Sequence, residues 1–184
     1  MITIRTVIEQ GAIVKGDTTT YEEWQERLAS IEGGYFDLTL GDVLLPDLYS
    51  GRMPFIGKHQ RQTRLYRPYK CNSDSDGWTL ESGQFLFKTD EQIAMPDGFY
   101  ADLYPRRTLL TNGAQLFFAA VATGFKGHLF ISVHIRDNFP FYIERGAAFM
   151  SIRLLPLNND ISLDSYQGIW GGDKACTDGY ERAR

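Results

Sequence analysis

In the segment GHLFISVHIRDN, residues 127–138, Leu129, Ile131, Val133 and Ile135 alternate with Phe130, Ser132, His134 and Arg136. Successive side chains of an extended chain point to opposite faces. A strict period of two therefore describes a strand with its aliphatic set on a core and its polar set on an exposed or cleft-lining face. Downstream, FPFYIERGAAFMSIRLLPL (139–157) reads as two further strands around a turn at Glu144-Arg145-Gly146. Upstream, WTLESGQFLFKTDEQIAMPDGFYADLYP (78–105) holds strand candidates at 78–80, 84–89 and 99–103. Gly83 and Pro96-Asp97-Gly98 separate them with turn chemistry. YFDLTLGD (35–42) alternates and is expected to turn at Gly41-Asp42, and CNSDSDG (71–77) reads as a turn.

Two helices precede these strands. In IRTVIEQG, Ile4, Val7 and Ile8 share one helical face and Gly11 suits a C-cap. In TTYEEWQERLAS, Thr20 stands three residues before Glu23, the spacing of a capping box, and Tyr21, Trp24 and Leu28 recur at helical intervals. The stretch 45–69 carries Arg52, Lys58, Arg61, Arg64, Arg67 and three prolines, and is expected to be a long loop or an irregular strand pair. The tail SYQGIWGGDKACTDGYERAR (165–184) has too much glycine and charge to make a core element by itself. Many short strands with regularly spaced turns indicate a mainly β fold, an antiparallel sandwich or barrel behind short N-terminal helices.

The chain has 184 residues and is 43% hydrophobic, which fits one domain. A domain of this size buries about 70% of its unfolded surface and needs no staples. A net charge of -4 argues against a broad grip on nucleic acid or an anionic membrane. The longest apolar run, 116–122, falls far below the roughly 20 residues of a membrane span. MITIRTVIEQG lacks the continuous apolar stretch of a secretory signal. Cys71 and Cys176 lie far apart and in no CxxC pattern; they read as reduced thiols of a cytoplasmic protein, with one disulfide as the second choice.

Several chemistries are missing. No H-x-E with P-C-x-x-C is present to hold a catalytic zinc, and no phosphate-binding P-loop, GxGxxG or GxSxG occurs. His128 and His134 are expected on one face as solvated polar residues, without a third ligand. YPRRTLLTNG (104–113) is more suggestive, because arginine forks and hydroxyls beside a turn suit a polyphosphate.

Taken in order, IRTVIEQGAIV, YFDLTLGD, GQFLF and PRRTLLTNG, followed by TGFKGHLFISVHIRDN, the FMSIRL hairpin and SYQGIWGG, resemble the deoxycytidine triphosphate deaminase branch of the trimeric dUTPase superfamily. The matching family motifs are S-x-D-L-R-L-G, G-E-F-x-L, G-R-S-S-L-A-R-x-G, D-P-G-F-x-G-x-I-T-L-E, P-G-M-x-I and Y-Q-G-x-x-G. The resemblance implies a distorted β-barrel or jelly-roll-like domain over residues 1–184, with a helical part at 1–32 and a C-terminal tail or lid at 160–184. It implies a homotrimer with sites between subunits, which binds a deoxynucleoside triphosphate and Mg²⁺ through its phosphates, without zinc.

On this alignment Arg106 takes the place of the family's phosphate-contacting arginine and Thr108 that of its second serine. Gly113 closes the motif and Tyr166 is the tail tyrosine. The motif's first serine is Arg107 here, its later arginine is Thr111, and the residue after the tail motif is Ile169. The nucleotide-binding set expected is thus Arg106, Arg107, Thr108, Thr111 and Tyr166. The family's aspartate falls at Ala122, with a two-residue gap, and its acid/base glutamate at Ser132. Deamination at C4 needs a group that moves a proton from water to the leaving amine, worth roughly 10²–10⁴-fold in rate. Asp102, Asp137 and Glu144 are the neighbouring acids in sequence.

Two readings therefore stand. One is a deaminase-like or dUTPase-like protein that handles a canonical or modified deoxynucleotide. The other is a non-catalytic homotrimer used for binding or assembly. Oligonucleotide binding through 52–70, where Tyr66 and Tyr69 interleave with arginines, ranks third, against the net charge.

Overall fold

A computed structural model describes residues 3–31, 33–48, 65–72, 75–136 and 140–157, together with the backbone of 55–56, 60–62 and 180–182. Helix α1 (Ile4–Val7) begins at Thr3, whose hydroxyl accepts from the Thr6 amide, and a π-helical turn (Ile8–Ala12) ends it with Gly11 at φ 96°. That left-handed residue is the expected glycine stop. After β1 (Ile13–Val14) comes α2 (Tyr21–Ala29), whose capping box between Thr20 and Glu23 is complete. Trp24 and Leu28 are buried, whereas Tyr21 stays exposed.

The β elements follow as β2 (Phe36–Pro46), β3 (Phe55–Ile56), β4 (Gln60–Gln62), β5 (Tyr66–Pro68), β6 (Gly77–Leu80), β7 (Gly83–Ala94) and β8 (Phe99–Pro105). Then come α3 (Arg107–Thr111), β9 (Ala114–Phe117), β10 (Lys126–Ile135), β11 (Phe141–Glu144), β12 (Ala148–Pro156) and β13 (Tyr180–Arg182). The main sheet runs β8-β12-β2-β7-β10-β9, with β1 added beside β7 and β5 beside β2. A bridge between Ala101 of β8 and Val121, just past β9, joins the two ends of that order, so the sheet curls almost into a barrel. β6 pairs with β11 as a separate ribbon. In the basic stretch, where either a long loop or an irregular strand pair is expected, β3 pairs with β4, and β13 adds to β4.

The alternation in β10 is as expected: Leu129, Ile131, Val133 and Ile135 are buried, and His134 and Arg136 are exposed. They meet Phe36, Leu38, Phe87, Phe149 and Ile152 in one apolar core, where Phe87 and Phe149 pack edge to face at 5.6 Å.

The largest departures from the sequence expectation are in β2 and β7. β2 does not turn at Gly41-Asp42 but continues through a bulge there. A Cβ at Gly41 would lie 2.9 Å from the Asp90 Cα, so glycine serves a close approach of two backbones instead of a turn. β7 extends to Ala94, past the Thr89 limit, although Asp90 and Glu91 are 6% and 0% exposed. Buried carboxylates end a strand pattern on paper, yet they are tolerated where hydrogen-bond donors surround them. Asp90 accepts from the Thr18 amide and hydroxyl and the Thr19 hydroxyl. Glu91 accepts from Arg27 at 2.5 Å, the Thr39 amide at 2.9 Å and the Thr39 hydroxyl at 2.7 Å.

Candidate functional site

YPRRTLLTNG forms the end of β8, one turn of helix and a glycine exit, instead of a plain turn. The Arg106 amide donates to Phe149 O at 3.1 Å, which fixes the chain as it leaves the sheet. Leu109 is buried and pins α3 to the core, and Gly113 at φ 85° turns the chain into β9. This anchoring leaves Arg106, Arg107, Thr108 and Thr111 exposed together. Thr111 spends its hydroxyl proton on Thr108 O at 3.0 Å, an internal bond that competes with donation to a ligand.

Arg106 Nη1 lies 2.7 Å from Asp37 Oδ2, and Ser151 Oγ donates to Asp37 Oδ1 at 2.6 Å. Asp37 on β2, Ser151 on β12 and Tyr104 on β8 form one cross-strand row, because Ser151 is in register with both of the others. Asp37 and Ser151 of this row line a cavity of about 400 Å³ together with Arg27, Ser30, Tyr35 and Arg106, among others. Tyr35 and Tyr104 meet edge to face at 5.2 Å, and the Arg153 guanidinium lies over Tyr35.

A second cavity, of about 600 Å³, shares Arg27 and Ser30 with the first and is lined further by Glu23, Glu26, Glu144 and Arg145. Arg145 stacks 4.8 Å over Trp78, donates to Asp76 at 3.0 Å and also to Gly41 O. Burial pulls its pKa down, but the hydrogen bond and charge of Asp76, aided by Asp42 and Cys71, outweigh this and raise it above the ordinary arginine value. The group stays charged at every working pH. Glu23 is held below the ordinary glutamate value, chiefly by the Thr20 backbone hydrogen bond and then by the Thr20 hydroxyl.

A third, apolar cavity of about 290 Å³ contains Ala122, with Leu103, Phe118, Phe125, His128 and Phe130 in its wall. Arg106 borders a different cavity from Ala122, and Ser132 lines none of the three. Ser132 instead sits on β10 between Leu86 and Phe117, its hydroxyl accepting from Gln84 at 3.2 Å. One chain therefore does not unite the β8–α3 corner with the two positions that the resemblance sets at family carboxylates. Of the neighbouring acids, Glu144 faces the 600 Å³ cavity and Asp102 sits in register with Arg153 on β12. Neither lines the cavity of Ala122.

His128 corrects an expectation. It is half-buried, and its Nδ1 lies 2.8 Å from Thr89 O and 3.1 Å from Glu91 O. Two carbonyl acceptors require a proton on Nδ1, so this ring fastens the β7–β10 bulge and is not a solvated partner of His134. Cys71 is a free thiol whose sulfur donates to Gly77 O at 3.0 Å. Tyr166, Ile169, Trp170, Cys176 and Asp137 lie outside the described residues, as do the side chains of Arg52, Lys58, Arg61 and Arg64. Among the described residues no group of three or more His, Cys, Asp or Glu side chains converges on a metal position. No helix among them is long and apolar enough to cross a membrane.

Sequence reasoning missed Asp37 and Arg27. The signal for Asp37 was its place between Phe36 and Leu38, which points it outward from a strand next to the core. Arg27 had none, since its partner Glu91 lies 64 residues away.

The family profile described as dCTP deaminase-like matches residues 3–157. A probable deoxyuridine 5'-triphosphate nucleotidohydrolase of Archaeoglobus fulgidus is 22% identical over 94 residues, which cover 51% of this chain and 55% of that one. The chain thus spans about half the length of the curated relative it matches. The crystal structure of 2'-deoxycytidine 5'-triphosphate deaminase from Agrobacterium tumefaciens superposes with a TM-score of 0.57 at 18% identity, over 82% of this chain and 45% of that one. Native EIAV dUTPase gives a TM-score of 0.46 at 11% identity, over 84% and 97%. At 18% identity the likeness to the deaminase structure speaks to the fold alone.

Proposed function

We propose, since the chain belongs to the dCTP deaminase-like family, that it binds a deoxynucleoside triphosphate through the β8–α3 corner, as a homotrimer of the cytoplasm. The observation that carries this reading is the joint exposure of Arg106, Arg107, Thr108 and Thr111 on a corner pinned by Leu109 and Phe149 O, beside a 400 Å³ cavity. Two guanidinium groups and the Thr108 hydroxyl on a rigid base suit polyphosphate oxygens, with Thr111 able to join once its hydroxyl leaves Thr108 O, since arginine donates in a planar fork and keeps its charge. Mg²⁺ would arrive on the phosphate oxygens, the mode in which this ion keeps most of its waters and takes few protein ligands. Tyr166 of the tail is assigned to the same site by alignment. A nucleotide spanning the phosphate corner and the apolar cavity of Ala122 needs a second copy of the chain to bring the two together, because they open separately on one chain.

A second reading, binding or assembly without chemistry, has its own support. The cavity around Ala122 contains no carboxylate among its described lining residues, and the Ser132 hydroxyl accepts from the Gln84 amide, a group that cannot take its proton. A thermal-shift panel of canonical and 5-modified deoxynucleoside triphosphates with Mg²⁺ tests the proposal. A ligand at 100 times its dissociation constant adds about 2.7 kcal/mol, a rise of roughly 5–10 °C for a domain of this size. Arg106→Ala should abolish the shift and leave the oligomer intact by light scattering. If no nucleotide moves the melting point, triphosphate binding is wrong. Among binders, released ammonia or pyrophosphate would separate deamination and hydrolysis from binding alone.

A further inference from the structure

We infer that Asp37 is an internal competitor for the phosphate-binding arginine, so that an anionic ligand must take Arg106 away from a carboxylate of its own chain; this rests on the proposed triphosphate site. Three observations carry it. Asp37 Oδ2 already occupies Arg106 Nη1 at 2.7 Å, and both side chains are open to solvent, 37% and 46% exposed. Asp37 is restrained from swinging aside, because Ser151 Oγ holds its other oxygen at 2.6 Å, while Arg27 Nη2 fixes the strand beneath it through the Asp37 backbone carbonyl at 2.5 Å. The carboxylate also borders the same 400 Å³ cavity as Arg106, so any anion entering there meets a fixed negative charge.

The other cation of that wall offers no substitute. Arg27 is committed to the fully buried Glu91, packs against the rings of Trp24 and Phe36, and is mostly covered. Arg106 is thus the cation at which exchange between internal and external anions takes place. A contact of this kind between half-exposed groups is weak enough to be displaced and strong enough to set a threshold. A triphosphate, with several charges, draws Arg106 off Asp37; a monophosphate, with fewer, does so poorly. The device makes the site selective for the length of the phosphate chain.

The test is isothermal titration of the full chain with dCTP and dUTP in Mg²⁺ and with the matching monophosphates, on the parent, Asp37→Asn, Ser151→Ala and Arg106→Ala. Asp37→Asn should bind the triphosphate about fivefold tighter, the scale of one unit charge near 4 Å in a largely solvated setting. It should also narrow the gap between tri- and monophosphate. Ser151→Ala, which frees one carboxylate oxygen and avoids reliance on a single variant, should move both quantities the same way by less. Arg106→Ala should bind neither. If Asp37→Asn and Ser151→Ala bind the triphosphate as well as the parent or worse, while Arg106→Ala loses it, the competitor role is refuted and the site stands. If Arg106→Ala binds like the parent, or no variant binds at all, the site itself is refuted.

Discussion

Replacing Arg27 with methionine isolates the interaction that fastens α2 to the sheet. The guanidinium, 21% exposed, reaches Glu91 Oε1 at 2.5 Å, and Glu91 is completely buried. With Arg27 gone the carboxylate keeps, among the described residues, the Thr39 amide and hydroxyl as partners, at 2.9 and 2.7 Å. Removing one member of a buried pair leaves an uncompensated charge and costs about 3–5 kcal/mol. The lost contacts of the guanidinium with Trp24 and Phe36, at 5.3 and 4.9 Å, act in the same direction. For a chain of this length the loss corresponds to a melting point lower by roughly 6–20 °C. Urea unfolding at fixed protein concentration measures it, since association shifts apparent stability. The double variant Arg27→Met with Glu91→Gln should recover most of the loss, because a neutral amide keeps an oxygen for Thr39 and no longer needs a counter-charge. A cost under about 1 kcal/mol for Arg27→Met, or no recovery in the double variant, would refute the electrostatic account.

Gly41→Ala should destabilise by about 1–3 kcal/mol, because its Cβ would press on the Asp90 Cα and amide at 2.9 and 3.0 Å, a backbone that cannot yield as a side chain can; chemical denaturation reads this directly. Glu23 has a lowered folded pKa, so its capping contribution is present above the unfolded value near 4.5 and is lost as pH falls through the folded value. Glu23→Gln should accordingly flatten part of the acid limb of a melting-point-against-pH curve, and an unchanged limb would contradict the capping-box assignment. His128→Gln or His128→Leu should lower stability by about 1–3 kcal/mol through the lost ring hydrogen bond to the Thr89 and Glu91 carbonyls, of which Glu91 O keeps the Thr89 hydroxyl, whereas His134→Gln, on an exposed residue, should stay within about 0.5 kcal/mol. Parallel melts of the two histidine variants make the comparison.

Local chemistry made some elements legible along the chain. The capping box at Thr20 and Glu23, the Gly11 stop and the period-two run of β10 involve residues within a few positions of one another, so their geometry is written in spacing. The ordered motifs made the family legible, and the profile match over residues 3–157 agrees with them. The length of β7 was not legible, because Asp90 and Glu91 look like a strand end until Thr18, Thr19, Arg27 and Thr39 supply donors from other elements. Gly41 was misread for the same reason: a glycine needed for close approach and one needed for a turn are identical letters.

At the candidate site the division is sharper. Sequence alone placed Arg106, Arg107, Thr108 and Thr111 on one corner and left Ala122 and Ser132 without carboxylates. Tertiary structure alone brought Asp37 and Ser151 to Arg106 from 69 and 45 residues away in the chain and set Ala122 in a separate cavity. A charge can be read from a letter, but its effective strength depends on which opposite charge the sheet register brings within about 3 Å. That distance is a property of strand pairing across the fold, which no local window of sequence contains.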